Sequence, residues 1–451
     1  MHNIKLLFIV ILSIFFWQCE ISVDEFQPSA SDLDLSSYVA LGDSYSAGYT
    51  NGALGRHSQL LSLPAILARQ FELAGGGEFK QPLLPEGKSV GTTIIDAEGN
   101  LNGYFKLNVV NNSLKPTPTL GDKSVLFDLI GDSGPYNNMA VPGAKSYHLL
   151  SDAFGNPFGG NPFFTRFATE PGSVSVMHDA GEINHTFFSL WIGGNDILGF
   201  ALAGGSSDLI TPVENFENSM SLIVSQLINS GKKGVIANIP DINALPYFNV
   251  VPYNALPLTQ EQADQLNAAY AEYNIAANSV GRPAIVFVEG QNALIIEDPK
   301  MDDMPYGAKF RQIKEGEKIL LNTPTDKIAT EGLGSQIPIP SKYVLDSEDL
   351  QKIDDAVIAY NAIIEKIAIE NNLAFVDIYS IMNKLKIGLT IDGNTYTNTF
   401  VTGGIFSLDG IHATYRGYAI IANEFIKSIN TKYNSVIPLV NINDYETVVF
   451  P

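Results

Sequence analysis

Short apolar runs alternate with longer amphipathic stretches along this chain, and the alternation predicts the fold class. Residues 37–41 read as a first strand. Residues 186–192, Thr-Phe-Phe-Ser-Leu-Trp-Ile, read as a second, apolar almost throughout and so buried on both faces. Residues 234–239 and 373–378 supply a third and a fourth. Between them the period lengthens to that of a helix. One helix is predicted over 213–228. Another follows Asp346-Ser347-Glu348 and runs to about Asn371, with Val357, Ile358, Ile364 and Ile367 at helical spacing. A last helix follows Ala413 and carries Tyr418, Ile421, Ala422 and Phe425. Strands alternating with helices predict an α/β protein with a mostly parallel sheet and helices on both faces.

Two stretches break the pattern. Residues 52–130 hold strand-like pieces joined by Gly, Asn and Pro turns, and 290–343 is rich in proline. Both read as sizeable insertions on one core. Asp96-Ala97-Glu98-Gly99-Asn100 reads as a hairpin turn; the remaining spacing of a calcium loop is missing, so no metal site is expected there. A faint internal echo links Thr259-Gln260-Glu261, Tyr273-Asn274 and residues 284–288 with Ser347-Glu348, Tyr360-Asn361 and residues 375–377. It reads as two capped helices, each running into a strand.

Composition narrows the class. With 45% hydrophobic and 17% charged residues in 451, the chain is globular. A net charge of -21 repels phosphate backbones, which excludes nucleic acid as a partner, and it gives no attraction to anionic headgroups. The one cysteine, Cys19, excludes an internal disulfide. It follows Lys5 and an apolar run over 6–17, too short to span a membrane and matching a secretory signal. A lone cysteine there resembles the acylated first residue of a mature bacterial lipoprotein, although Trp17 and Gln18 stand where small residues are usual. The plain alternative is an ordinary signal or an uncleaved anchor. The expected organisation is a signal over 1–18, an acylated tether over 19–35, a catalytic domain over 36–434 and a C-terminal tail over 435–451. The expected location is the bacterial cell envelope, anchored through Cys19 to a membrane, the outer one in a double-membraned cell, on either face.

The chemistry lies at strand ends. At Gly42-Asp43-Ser44 the chain must turn sharply from strand into helix. That leaves the Ser44 N–H free to donate and its hydroxyl at the sheet's carboxyl edge. Taken alone, this is also a common capping serine. In Ser407-Leu408-Asp409-Gly410-Ile411-His412, the i, i+3 spacing aims Asp409 and His412 the same way. Asp409 can then accept from one imidazole nitrogen while the other takes a proton from Ser44. A surface turn with a capping aspartate is the plain reading, but only six histidines occur in the chain. Two further segments can form an oxyanion hole. Gly143 sits in the loop Asn137-Asn138-Met139-Ala140-Val141-Pro142-Gly143-Ala144, and Asn195 in Trp191-Ile192-Gly193-Gly194-Asn195-Asp196. Each is separately a turn signal; all four segments in one order make the stronger case.

In these four blocks the chain resembles a GDSL-type SGNH hydrolase of the lipase/acylhydrolase kind, with Tyr45 where the family name has leucine. The resemblance implies a flavodoxin-like three-layer α/β/α sandwich. It implies Ser44 as nucleophile, His412 as general base and Asp409 as the residue orienting it. The Ser44 N–H, Gly143 N–H and Asn195 amide become the oxyanion hole, with no metal and no cofactor. The expected reaction is ester hydrolysis through an acyl-enzyme, falling as pH drops and imidazole (about 6.5 unperturbed) protonates. Residues 153–167, rich in Phe, Gly, Asn and Pro, either line an acyl pocket or pack on the core. The leading function is a carboxylesterase or lipase. A carbohydrate O-acetylesterase and a non-catalytic binding lipoprotein are the alternatives. Expected partners are a small-molecule, lipid or acylated-glycan ester and the membrane holding the anchor, with no protein partner evident.

Overall fold

The computed structural model describes residues 27–451 apart from Asn111, Pro305 and Tyr306. The signal-like run, Cys19 and the first part of the expected tether lie outside the described residues.

Four parallel strands form the central sheet: β1 (Tyr38–Gly42), β2 (Phe187–Trp191), β3 (Lys233–Ala237) and β4 (Ala374–Val376), in that spatial order. The expected oxyanion loop adds an edge. The Ala40 N–H donates to the Asn137 carbonyl at 2.8 Å, the Met139 N–H to Ala40 at 2.9 Å and the Val141 N–H to Gly42 at 3.1 Å. Residues 137–141 therefore run parallel beside β1. By order along the chain the sheet reads 2-1-3-4-5, the flavodoxin-like arrangement. Its strand order reverses at β1, and the crevice outside that strand's carboxyl end is where open α/β sheets place their ligands.

Helices α1 (Leu63–Leu73) and α4 (Tyr415–Tyr433) pack together on one face; α2 (Val213–Leu227) and α3 (Ser347–Glu370) pack together on the other. Phe71 of α1 meets the rings of Tyr38 and Phe187 edge-on at 5.0 and 5.5 Å. Across the sheet, Phe216 of α2 stacks on Tyr360 of α3 at 3.9 Å. The alternate β2 residue, Phe188, lies against Gly234 of β3, where a Cβ would come within 2.5 Å of the ring. Both long helices start on side-chain caps. Asp346 accepts from the Glu348 and Asp349 N–H groups, and Thr414 accepts from Gly417.

Several expectations need correction. Ile358 is 62% exposed and does not belong to the buried face of α3. The 52–130 stretch is not wholly an insertion, because α1 lies inside it and its Leu63, Ile66, Leu67 and Phe71 enter the main core. The strands of the remainder pair antiparallel, notably in the hairpin of Asn102–Val110 and Ser113–Leu120, and Asp96–Asn100 does turn one chain reversal. The folded chain begins ahead of 35: Ser29 bridges Val436, and Leu33 and Leu35 are buried. Residues 435–451 are no loose tail, since Ile437, Val440 and Ile442 join the core. The second excursion has its own small core, running from Leu256 to Val344, so it starts before 290. Within it, residues 284–288 form no ladder strand. Side-chain amides take the partner's place: Asn274 pairs with both polar groups of the Ile285 backbone, and Asn267 with both of Phe287.

Candidate active site

At the end of β1 the chain enters the single turn Ser44–Ala47. The Asp43 carboxylate caps it, accepting the Tyr45 N–H at 3.0 Å. Ser44 thus stands at the strand-order reversal. Its hydroxyl lies 2.8 Å from His412 Nε2, and His412 Nδ1 lies 2.9 Å from Asp409 Oδ2. All three residues are less than a tenth exposed.

Asp409 is held from several sides. One oxygen accepts from the Ser407 hydroxyl (3.0 Å) and from the N–H groups of Ile411 (2.9 Å) and His412 (2.8 Å). The other accepts the Gly52 N–H at 2.8 Å besides the imidazole. Gly52 has φ +76, and a Cβ there would meet the Phe105 ring at 2.5 Å, so only glycine brings this donor in. Burial pushes the Asp409 carboxyl up, but the His412 charge, its hydrogen bond and the two backbone N–H groups outweigh it and hold the group below its ordinary value.

The oxyanion side is equally ordered. Gly143 has φ +79, in the left-handed region, and its N–H and that of Ser44 donate to no protein acceptor among the described residues. Asn195 opens the helix Asn195–Leu202 after β2, and its amide donates to the Ala144 carbonyl at 3.0 Å, leaving the second amide hydrogen unused. Two more side chains fix the Gly143 loop. Asn161 donates to the Pro142 carbonyl at 2.8 Å, and buried Asp196 accepts from the Ser146 N–H at 2.7 Å and its hydroxyl at 2.8 Å. A cavity of about 10 Å³ adjoins Ser44, walled by Trp191, Leu198, Pro240, Ile242 and Leu245, with Asn195 at its edge.

All five residues singled out on the sheet's edge, Ser44, Gly143, Asn195, Asp409 and His412, therefore converge. A sequence model described as GDSL-like Lipase/Acylhydrolase matches residues 38–292 and 300–425. The chain belongs to this family. It is accordingly a serine hydrolase acting on ester bonds. Among solved structures, an acetylxylan esterase from Geobacillus stearothermophilus aligns at 11% identity over 89% of this chain and 95% of its own, with a TM-score of 0.32. The lipase/acylhydrolase from Enterococcus faecalis aligns at 11% over 90% and 100%, with a TM-score of 0.33. A hydrolase from the metagenome of Lake Arreo, Spain, aligns at 11% over 88% and 96%, with a TM-score of 0.36. No match was found among curated proteins.

Some of what shapes this GDSL-type site was not read from the sequence. Tyr45 packs against Trp191 and His412 (ring centroids 4.8 and 5.2 Å), and Tyr49 against His412 (4.7 Å). Asp43 is fully buried beside Ser44, and burial pushes its carboxyl up to about 7. Its place inside Gly-Asp-Ser was the available signal. The Phe-rich segment does not line the Ser44 cavity. Phe154, Phe163, Phe164 and Phe167 pack into the core and Phe158 is exposed, so the pocket expectation gives way to core packing. The residue in that segment which touches the site's framework is Asn161.

Proposed function

We propose that this esterase cleaves short-chain esters through an acyl-enzyme on Ser44. Ser44 Oγ attacks the ester carbonyl carbon as its proton passes to His412 Nε2. The tetrahedral oxyanion is met by the Ser44 and Gly143 N–H groups and the Asn195 amide, each such donor being worth about 10²–10³ in turnover. The C–O bond to the alcohol breaks, and His412 returns the proton to the departing oxygen. Water then attacks the acyl-enzyme by the same route, giving the carboxylic acid and restoring Ser44. Asp409 holds Nδ1 protonated throughout, so Nε2 is the basic nitrogen. The observation that carries this reading is the unbroken chain Ser44–His412–Asp409 at 2.8 and 2.9 Å beside unengaged donors.

The cavity at Ser44 favours a small acyl group. Its walls close in beside Ser44, which suits a methyl better than a fatty tail. That supports the carbohydrate O-acetylesterase alternative over a lipase.

The anchor belongs to the same proposal. Cleavage before Cys19 and its acylation would tether the enzyme to an envelope membrane, each buried CH₂ contributing roughly 0.8 kcal/mol. The lone cysteine behind a short apolar run supports this. Radiolabelled palmitate should enter the wild type and not Cys19→Ala, and the variant should leave the membrane fraction.

The activity test is a 4-nitrophenyl ester series from acetate to palmitate, with Ser44→Ala in parallel. Acetate should be cleaved fastest and Ser44→Ala should be inactive. Equal rates from both proteins would reject Ser44 as nucleophile and revive a binding-only role; a palmitate optimum would reject the short-acyl assignment.

A further inference from the structure

A groove of about 1430 Å³ crosses the small core formed by residues 256–344, between the helices Gln260–Ala269 and Asp326–Glu331. It exceeds the 300–1,000 Å³ usual for a site that holds a small molecule. Of its apolar side chains Leu256, Leu266 and Tyr270 are spent on the core below, exposed by only 5, 8 and 9%, while Val250, Val251, Leu258, Phe310 and Ile328 stay partly open. Among the exposed residues beside them are Gln262, Gln265, Thr325, Thr330 and Gln336. In a chain of net charge -21 the lining holds one carboxylate, Glu331, which is paired with Lys327 at 3.1 Å, and no cation. Such a surface offers amides, hydroxyls and flat apolar edges. It offers nothing for an anion.

The groove also begins beside the catalytic loop. The Tyr247 N–H donates to the Gly410 carbonyl at 2.9 Å, and the Leu321 N–H donates to Tyr247 at 3.0 Å. Val250 and Thr325, both in the groove wall, follow those two residues closely in the chain. An extended chain advances at most ~3.6 Å per residue, so Val250 lies within about 11 Å of Tyr247 and Gly410 within about 7 Å of His412. The near end of the groove is thus tied through Tyr247 and Gly410 to the loop that carries Asp409 and His412.

We propose that this groove binds the backbone of an uncharged, hydroxyl-rich polysaccharide whose ester substituents are presented to Ser44. The assignment rests on the esterase reading above and extends it to the substrate's other half. A neutral polysaccharide meets the amide and hydroxyl lining without a charge to bury, and it carries the esterified hydroxyls that the catalytic centre cleaves. Acidic polymers are repelled by the surrounding surface.

The test places bulk in the groove at two exposed positions on opposite walls, Gln265→Trp and Ala329→Trp. Each variant is assayed with 4-nitrophenyl acetate and palmitate, with acetylated xylan and glucomannan, and with acetylated pectin as an acidic control. Each is also run by affinity electrophoresis in gels containing the unacetylated neutral polymers. Expected are unchanged rates on 4-nitrophenyl acetate, a KM for the neutral polymers raised tenfold or more, and loss of gel retardation. Unchanged polymer KM and retardation, or a matching fall on 4-nitrophenyl acetate, overturns the groove. So does a drop confined to 4-nitrophenyl palmitate, which would mark an acyl-chain site. Retardation of Ser44→Ala is read independently of turnover, so an inactive wild type would sink the esterase reading without deciding the groove, which the gel decides.

Discussion

The Tyr45 hydroxyl donates to the Ile411 carbonyl at 2.7 Å, tying the residue after the nucleophile to the residue before the base. The tie is one of several between the same two segments. Thr50 donates to the Ala413 carbonyl at 2.8 Å, the Asn51 N–H to the Ser407 hydroxyl at 2.9 Å, and the Tyr418 hydroxyl to Tyr49 at 2.6 Å. Segments some 360 residues apart in sequence, as the Thr50–Ala413 separation of 363 records, are thus held as one rigid unit. A site whose reacting atoms must stay aligned gains from such bracing, since small misplacements are costly in rate.

Tyr45→Phe keeps the ring against Trp191 and His412 and removes only the hydroxyl. Losing one such bond costs about 0.5–1.5 kcal/mol. If that loss falls on the alignment of His412, kcat on 4-nitrophenyl acetate drops roughly 2–10-fold with KM unchanged. Tyr45→Leu, which restores the family's usual residue, also removes the ring and is expected to lose more. A lowered Tm in Tyr45→Phe with kcat intact would reduce Tyr45 to a structural role.

Asn161→Ala should strike stability and turnover together. Its Oδ1 caps the helix Pro162–Phe167, accepting from Phe163 at 2.9 Å and Phe164 at 3.3 Å, while its Nδ2 holds Pro142 ahead of Gly143. Loss of the cap costs about 1 kcal/mol. Release of the Gly143 loop should lower kcat more than it raises KM, because the oxyanion donor acts only as charge develops. Asn161→Asp separates the two effects. It keeps the cap acceptor but sets an oxygen against the Pro142 carbonyl, so the cap's share of the Tm loss should be spared while kcat still falls.

The sheet and the site residues were legible for a common reason: both depend on local patterns. Residues 186–192 are apolar almost throughout because β2 is buried on both faces, and Ser44, Gly143 and Asn195 each follow soon after a strand or strand-like edge. What was not legible depends on partners distant in sequence. Residues 284–288 carry a strand's composition, yet their backbone is satisfied by the amides of Asn267 and Asn274 instead of a ladder. Helix α1 was hidden in a Gly- and Pro-rich stretch that reads as turns. Ile358 keeps the helical spacing but falls on the solvent side of α3. The second small core starts at Leu256 because the Gln260–Ala269 helix packs there, not on the main sheet. No periodicity announces which core a helix joins.

Asp43 should make the fold less stable as pH rises. Its ordinary value is 3.8, and burial raises it to about 7 in the folded protein. Between those values the unfolded chain has released the proton and the folded chain retains it. Stability therefore falls with increasing pH across that window and levels off above about pH 7. Asn keeps an acceptor for the Tyr45 N–H and cannot titrate. Asp43→Asn should match wild type near pH 4 and exceed it progressively up to pH 7, by an amount on the order of a few kcal/mol. Chemical denaturation at several pH values measures the difference. A gap that stays constant with pH would mean the carboxyl is not the titrating group.

Asp409 should behave in the opposite sense, although it is equally buried. Its carboxyl is held below the ordinary value of 3.8, so its stabilisation is complete above that value and disappears as pH falls through the lower folded one. Asp409→Asn should then be less stable than wild type at neutral pH, with the deficit closing only in acid. The activity loss is separate. The carboxylate accepts five donors, and an amide has one oxygen to offer against them. Whether its NH₂ faces the imidazole or the Ile411 and His412 N–H groups, a donor meets a donor. Facing the imidazole, it forces Nδ1 to accept, which puts the proton on Nε2 and removes the base from Ser44. A fall of about 10⁴ in kcat is the scale for this change of tautomer. Turnover of 4-nitrophenyl acetate at pH 8, where the stability deficit is at its plateau, should show that loss with little change in KM. Retention of more than a tenth of wild-type kcat would remove Asp409 from the proton path and leave it only its structural bonds.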